Sequence, residues 1–147
     1  MARLPLLDRD DLAEVDRAVY DRLQLNCELA PFFTDLPQRL ASSQLIVSRS
    51  GAGTVAELAA IGRPAVLVPL PGALDQDQFA NAGVLAEAGG ALRIVQSDFT
   101  PERLAAEITA LAADPGRLAA MAAAARSAGR LDAAERLADV VAKVAGV

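Results

Sequence analysis

A short glycine-bearing segment carries the residues of this chain that are best suited to binding chemistry. Residues 45–57 read LIVSRSGAGTVAE, an apolar run that passes through a turn into a helical pattern. Gly51 and Gly53 leave the backbone uncovered, and the first amides of a helix lack intrahelical acceptors and carry a partial positive charge. This combination predicts an anion site, suited to the phosphates of a nucleotide, that needs no lysine.

Thr54 and Glu57 are one helical turn apart, so both can face the same side of the helix mouth. A carboxylate cannot bind phosphate, but it accepts hydrogen bonds from a vicinal diol such as a ribose. The same pair also fits a capping box, in which Thr54 caps the helix and Glu57 reaches back to the amide of the cap residue. The local pattern leaves both interpretations open, although a cap needs neither glycine.

The segment Asp75-Gln76-Asp77-Gln78 opens the next helical pattern and is a second candidate. The amide of Gln78 can both donate hydrogen bonds to sugar hydroxyls and accept them. Asp75 and Asp77 have the spacing that holds a divalent metal in one class of sugar transferases. Acidic residues also favour a helix start, and hard cations need more oxygen ligands than this segment supplies, so we expect no metal.

Arg49 and Phe33 are weaker candidates, each with a structural alternative. Arg49 can balance the charge of a diphosphate, or it can be solvated or pair with a nearby carboxylate. Phe33 either packs in the core beside Phe32 or marks a strand end whose backbone reads the edge of a base. Both residues belong to loops that leave predicted strands.

Alternating strands and helices must position these residues. The pattern predicts strands over 27–30, 45–48, 65–70 and 91–95, and helices over 8–24, 36–42, a segment ending at Gly62, 75–88, a segment opened by Thr100 and Pro101, 117–127 and 132–145. Residues 45–70 form a βαβ unit, and the whole predicts an α/β fold with an open parallel sheet and flanking helices. Ligands bind beyond the carboxyl ends of such strands, where loops 31–35, 49–53 and 70–75 lie.

Composition narrows the functional class. The 147 residues are 53% apolar and only 3% aromatic, with a net charge of −5, which argues against a nucleic-acid partner or an anionic membrane surface. Cys27 is the only cysteine and histidine is absent, so neither an internal disulfide nor a histidine base is available. The sequence shows neither a signal peptide nor a membrane span, and we expect a cytoplasmic location.

Several ordered segments resemble the carboxyl-terminal half of the MurG family. They are VSRSGAGTVAEL at 47–58, GRPAVLVP at 62–69, DQDQ at 75–78 with Asn81-Ala82, APFF at 30–33 and DAAER at 132–136. MurG enzymes are inverting hexosyltransferases of the GT-B fold that move N-acetylglucosamine from UDP onto lipid I, giving lipid II for peptidoglycan. They work at the inner face of the plasma membrane. The resemblance implies a Rossmann-like, donor-binding half of such an enzyme.

The resemblance also implies roles for individual residues. Phe33 would contact uracil through its backbone, the amides of 52–54 and the Thr54 hydroxyl would face the diphosphate, and Glu57 would bind the ribose hydroxyls. Gln78, with Asp77 beside it, would bind the sugar. The implied donor-binding residues are Phe33, Ala52, Gly53, Thr54, Val55, Ala56, Glu57, Asp77 and Gln78, with Arg49 as a further phosphate contact and with no metal or cofactor.

Departures from the family pattern define the alternatives. We expect one donor-binding domain over 1–147, with an irregular join at 1–13 and a carboxyl-terminal helix at 132–147, that lacks the acceptor domain and the first strand and loop of the donor domain. Such a half would meet lipid I only through a partner and would transfer nothing by itself. The alternative is a non-catalytic partner subunit that keeps the fold without binding the donor. A dinucleotide domain is disfavoured because the G-x-G-x-x-G pattern is incomplete.

Overall fold

The computed structural model describes residues 32–72 and 76–146. The chain divides into two compact units, residues 1–36 and residues 37–147. The predicted helix over 8–24, the strand over 27–30 and the join over 1–13 lie outside the described residues, and the expectation of one domain over 1–147 stays a prediction. The fold and the site below concern the second unit.

Helices and strands alternate along the second unit as predicted. The elements are α1 Leu36–Ser42, which begins at the unit boundary, β1 Ile46–Ser48, α2 Ala52–Ile61, β2 Ala65–Leu67, α3 Asp77–Glu87, β3 Ala91–Arg93, a 3-10 turn Gln96–Asp98, α4 Pro101–Ala112, α5 Pro115–Ala128 and α6 Ala133–Ala145.

The three described strands form a parallel sheet in the order β1-β2-β3, with Val47 opposite Val66 and Val66 opposite Leu92. The predicted parallel α/β sheet is therefore confirmed. The strands are shorter than the apolar runs that predicted them. Pairing continues for one residue past β2 and β3, where Val68 N–H donates to Ser48 O at 2.9 Å and Ile94 N–H donates to Leu67 O at 2.9 Å. Pro69 follows Val68 and has no amide with which to extend the ladder.

Alternate residues of the strands pack into two apolar layers. Ala65 and Leu67 face a cluster formed with Leu58 of α2, Leu85 of α3 and the alanines of α5. Val66, Val68 and Ile94 face the opposite layer, which Phe99 and Leu104 cover. Because β2 is covered on both faces, all three of its residues are buried, as a continuous apolar strand predicts.

Helix α5 approaches the sheet closely because glycine and alanine occupy the contacts. A Cβ on Gly90 would lie 2.6 Å from Ala125 Cα, and a Cβ on Gly62 would lie 2.9 Å from Arg126 Cβ. Gly62 also ends α2 in the left-handed conformation, at φ 65°, as predicted. The alanine-rich sequence of α5 thus permits a tight helix–turn contact.

One helix prediction needs revision. The helix predicted over 117–127 begins two residues earlier, at Pro115, because Asp114 caps it by accepting from Arg117 N–H at 2.8 Å and proline suits the first helical position. In α4, Leu111 is fully buried, whereas Ile108 is 40% exposed. Among the described helices, none combines the length and the apolar character needed to cross a bilayer.

Candidate functional site

The amino-terminal end of α2 is the centre of the candidate site. Gly51 caps this helix with an extended backbone, φ −60° and ψ 149°, and makes no side-chain cap bond. Val55 N–H makes the first bond of the helical ladder, to Gly51 O at 3.0 Å. The amides of residues 52–54 therefore precede the ladder and point out of the helix mouth, in the arrangement that binds anions.

The position of Thr54 excludes the capping-box interpretation. Because α2 begins at Ala52, Thr54 is the third residue inside the helix and not its cap. Glu57 is exposed and, within the described residues, makes neither a hydrogen bond nor an ion pair. Thr54 is half-buried, and the prediction that both side chains face the same side of the helix start stays a prediction.

The fold itself does not require glycine at positions 51 and 53. A Cβ built on either residue meets no described atom within 4 Å. Neither residue has the positive φ that disfavours other side chains. Gly51 is a favourable cap residue, whereas Gly53, inside the first turn, costs helix stability relative to alanine. These positions thus form an uncovered stretch of backbone that an external group can approach closely.

A buried hydroxyl joins the α2 mouth to the first turn of α3. Ser50 is fully buried, and its Oγ donates to Gln78 O at 2.7 Å. In the other direction Asn81 Nδ2 donates to Ser50 O at 3.3 Å. The two predicted segments, 51–57 and 77–78, are thereby held side by side at the carboxyl edge of the sheet.

The side chain of Gln78 makes a hydrogen bond within the protein. Leu70 N–H donates to Gln78 Oε1 at 3.0 Å, which ties the loop after β2 to α3. The amide oxygen therefore accepts a hydrogen bond within the protein, and the contact of the amino group with a sugar hydroxyl stays a prediction. Asp77 is exposed in the same turn. Asp75 lies outside the described residues, and in the described part no group of three or more His, Cys, Asp or Glu side chains is placed to hold a metal ion.

Arg49 reaches across the carboxyl end of β2. Its Nη1 donates to Val68 O and to Pro69 O, both at 3.3 Å. The described residues provide no carboxylate partner for it, so the predicted ion pair is not what holds this side chain. The guanidinium keeps further donors near the helix mouth, and the role of phosphate contact stays a prediction.

A groove of about 560 Å³ lies beyond the carboxyl ends of β2 and β3. It is lined by Pro69, Leu70, Pro71, Gly72, Gln76, Phe79, Val95, Gln96 and Ser97. The 95–97 segment is not among the loops that the sequence predicts for the site. Ligands bind beyond the carboxyl ends of parallel strands, and this segment follows β3, so the same rule could have predicted it.

Phe33 belongs to the first compact unit. It is half-buried, whereas its neighbour Phe32 is 74% exposed and so does not serve as a core residue. The contact of Phe33 with a base stays a prediction.

The chain is similar to known glycosyltransferases. The family model of the glycosyltransferase family 28 C-terminal domain matches residues 7–137. A Rhodopseudomonas palustris protein named UDP-N-acetylglucosamine–N-acetylmuramyl-(pentapeptide) pyrophosphoryl-undecaprenol N-acetylglucosamine transferase is 85% identical over 138 residues, which cover 94% of this chain and 37% of that protein. A Nitrobacter hamburgensis protein of the same name is 80% identical over 136 residues, covering 92% and 36%.

The crystal structure of MurG from Acinetobacter baumannii matches with a TM-score of 0.79 at 37% identity, covering 88% of this chain and 40% of that one. The predicted GT-B fold and the resemblance to MurG are thus confirmed. The chain spans between a third and two fifths of the length of the relatives it matches. With residues 7–137 matched by the family model, this chain belongs to the glycosyltransferase family 28 C-terminal domains.

Proposed function

We propose that this chain is the UDP-N-acetylglucosamine-binding part of a transferase that adds N-acetylglucosamine to undecaprenyl-diphospho-N-acetylmuramoyl-pentapeptide, in peptidoglycan synthesis. The names of relatives at 85% and 80% identity support this activity. Because the chain covers 37% and 36% of those proteins, the acceptor would bind in the part outside it. That part would also provide contact with the membrane that holds the lipid-linked acceptor.

The observation that carries the proposal is the open mouth of α2. The amides of residues 52–54 make no intrahelical hydrogen bonds, and Gly51 and Gly53 leave the backbone accessible, so a diphosphate could accept hydrogen bonds there. The exposed Glu57 carboxylate, one turn further on, suits the two hydroxyls of a ribose. Val55 and Ala56 complete this segment.

The first turn of α3 would bind the sugar. The hydrogen bond from Ser50 Oγ to Gln78 O, which joins this turn to the start of α2, supports a sugar-binding role for the neighbouring Asp77 and Gln78 side chains. Phe33 would contact the uracil, and Arg49 would contribute positive charge toward the diphosphate.

Calorimetry with UDP tests this proposal. We expect saturable binding by the wild-type chain and a loss of about tenfold or more in affinity for Glu57→Ala, since hydrogen bonds to a charged group contribute roughly 1.5–3 kcal/mol. Glu135→Ala is the matched control, because Glu135 is an exposed glutamate on α6, and it should bind UDP as the wild type does.

Absence of heat at millimolar UDP would refute donor binding by this chain. The alternative role, a partner subunit that keeps the fold without binding donor, gives a different result. It predicts that substitutions over 51–57 leave the interactions of the chain unchanged, because the segment would then have no ligand.

A further inference from the structure

We infer that Arg93 is a positioning residue for the sugar-binding turn of α3. This inference rests on the proposed function, because the turn carries Asp77 and Gln78. Arg93 lies at the carboxyl end of β3 and touches neither the α2 mouth nor these two side chains through any described hydrogen bond. Its effect on the donor would therefore be transmitted through the backbone of α3.

Two contacts fix Arg93 to the residue that follows Gln78. The guanidinium carbon Cζ lies 3.9 Å from the centroid of the Phe79 ring. Arg93 Nη1 also donates to Phe79 O at 3.2 Å. A cation over the ring and a hydrogen bond to the carbonyl of the same residue restrain both its side chain and its backbone.

Gly83 leaves room for this arrangement. It lies one helical turn after Phe79, and a Cβ on it would come within 3.1 Å of Arg93 Nη1. The guanidinium thus lies in a space that a larger residue would narrow. Glycine lowers stability in the interior of a helix, yet α3 has Gly83 there, beside the Arg93 side chain.

The strand order explains why the turn needs support from β3. Helix α3 follows β2, the middle strand, and Ser50, which follows β1, holds Gln78 O from one side. Arg93, at the end of β3, holds Phe79 O from the other side. The residue before the turn, Gln76, has a left-handed backbone with φ 54°, which is strained for a non-glycine residue. Hydrogen bonds from residues at the ends of β1 and β3 therefore hold the first turn of α3 in place, next to the strained backbone of Gln76.

This bracing predicts a selective effect on the sugar. Asp77 and Gln78 move if the turn moves, whereas residues 52–57 belong to another helix. For Arg93→Met, which keeps an apolar stem, we expect the dissociation constant for UDP-N-acetylglucosamine to rise about tenfold, the effect of one lost hydrogen bond. The dissociation constant for UDP should stay within about twofold, which is less than 0.5 kcal/mol.

Calorimetry with UDP and with UDP-N-acetylglucosamine, on the full chain, tests this inference. Arg93→Lys keeps a cation and a donor, and should retain most of the wild-type selectivity. Arg103→Met is the matched control, because the exposed Arg103 side chain pairs with Glu107 of the same helix, α4, away from the first turn of α3. Hydrogen exchange of the Leu70 amide gives a ligand-free readout, since this amide donates to Gln78 Oε1 and should exchange faster in Arg93→Met.

The outcomes separate the inference from the proposed function. A wild-type chain that binds neither nucleotide refutes both. If the wild type binds both nucleotides, Arg93→Met must weaken UDP-N-acetylglucosamine more than UDP. An equal loss of affinity for the two, or no loss, overturns the positioning role and leaves the proposed function intact. Should Arg93→Met fail to fold, Phe79→Leu removes the ring and keeps the carbonyl. Selective loss of UDP-N-acetylglucosamine in that variant supports the inference, and unchanged binding overturns it.

Discussion

At the scale of single residues, two kinds of group build the candidate site. Gly51 and Gly53 matter for what they lack, because no described atom lies where their Cβ atoms would be. Ser50 matters for what it joins, since its buried hydroxyl donates to Gln78 O at 2.7 Å. The residue types were readable from the sequence, but the Ser50–Gln78 bond was not, because it joins residues 28 positions apart.

Substitution of Gly53 by alanine should separate stability from binding. Alanine is the better helix former and meets no described neighbour here, so we expect a gain of up to about 1 kcal/mol in unfolding free energy. The added methyl would stand on the uncovered backbone, and UDP affinity should fall about tenfold. Urea denaturation and calorimetry measure the two effects.

A control from α4 shows whether binding merely follows stability. Ala110→Gly on the exposed face of that helix should cost up to about 1 kcal/mol and leave UDP binding unchanged. A Gly53→Ala variant that binds UDP as tightly as the wild type would show that no ligand approaches this backbone.

At the scale of elements, helix ends decide the local structure. Thr100 caps α4 by accepting from Arg103 N–H at 3.2 Å, and Pro101 takes the first helical position, as the sequence predicted. The pKa of Glu102 is lowered because its carboxylate accepts hydrogen bonds from its own backbone amide and from the Thr100 hydroxyl. The cap of α4 is therefore more favourable when Glu102 is ionised.

This cap makes a small contribution to the pH dependence of stability. Because the pKa of Glu102 is lower in the folded chain, its contribution is present above the ordinary glutamate pKa and is lost as the pH falls through the folded value. We expect Glu102→Gln to reduce the loss of unfolding free energy between neutral pH and about pH 3, measured by urea denaturation.

Thr100→Val offers a check on the cause. It removes one of the two donors to Glu102, so its pH dependence should be intermediate between those of the wild type and Glu102→Gln, on top of a loss of about 1 kcal/mol from the missing cap. An unchanged pH dependence in both variants would contradict a role for this carboxylate.

At the scale of the whole molecule, the chain matches only part of the length of its relatives. It covers 37% of the Rhodopseudomonas palustris transferase. No residue of the described helix α6 is buried, and its apolar residues Leu137, Val140, Val141 and Val144 lie on one helical face with exposures of 58–83%. At the sheet edge, by comparison, Val47 of β1 is 41% exposed. The larger apolar surface is on α6, a feature typical of surfaces that pack against other protein regions.

Under the proposed function, sugar transfer should require an acceptor-binding region in addition to this chain. We expect the chain to bind UDP-N-acetylglucosamine but to transfer none, because transfer needs donor and acceptor held in contact. Fusion to the remaining amino-terminal region of the Rhodopseudomonas palustris relative should give transfer of labelled N-acetylglucosamine to the lipid-linked acceptor. The same fusion with Glu57→Ala is the control, and equal activity of the two would contradict the proposed ribose contact.

The sequence by itself determined the element order, the parallel sheet and the helix mouth after β1. These features depend on local signals: apolar strands such as Ala65–Leu67, the glycine at position 62 and the Thr100-Pro101 helix start all act within a few residues. The family resemblance came from the same local segments. Strand ends were less predictable, because an apolar run continues past the last ladder bond.

Only the tertiary structure decided how the two halves of the candidate site meet. It showed that Thr54 lies inside α2, that Gln78 uses its acceptor on Leu70, and that Arg93 lies over Phe79. The first of these contacts joins residues 8 positions apart in the β2–α3 connection, and the second joins residues 14 positions apart, because β3 lies beside β2. No periodicity or motif records such contacts, since they depend on strand order and register and not on neighbouring residues.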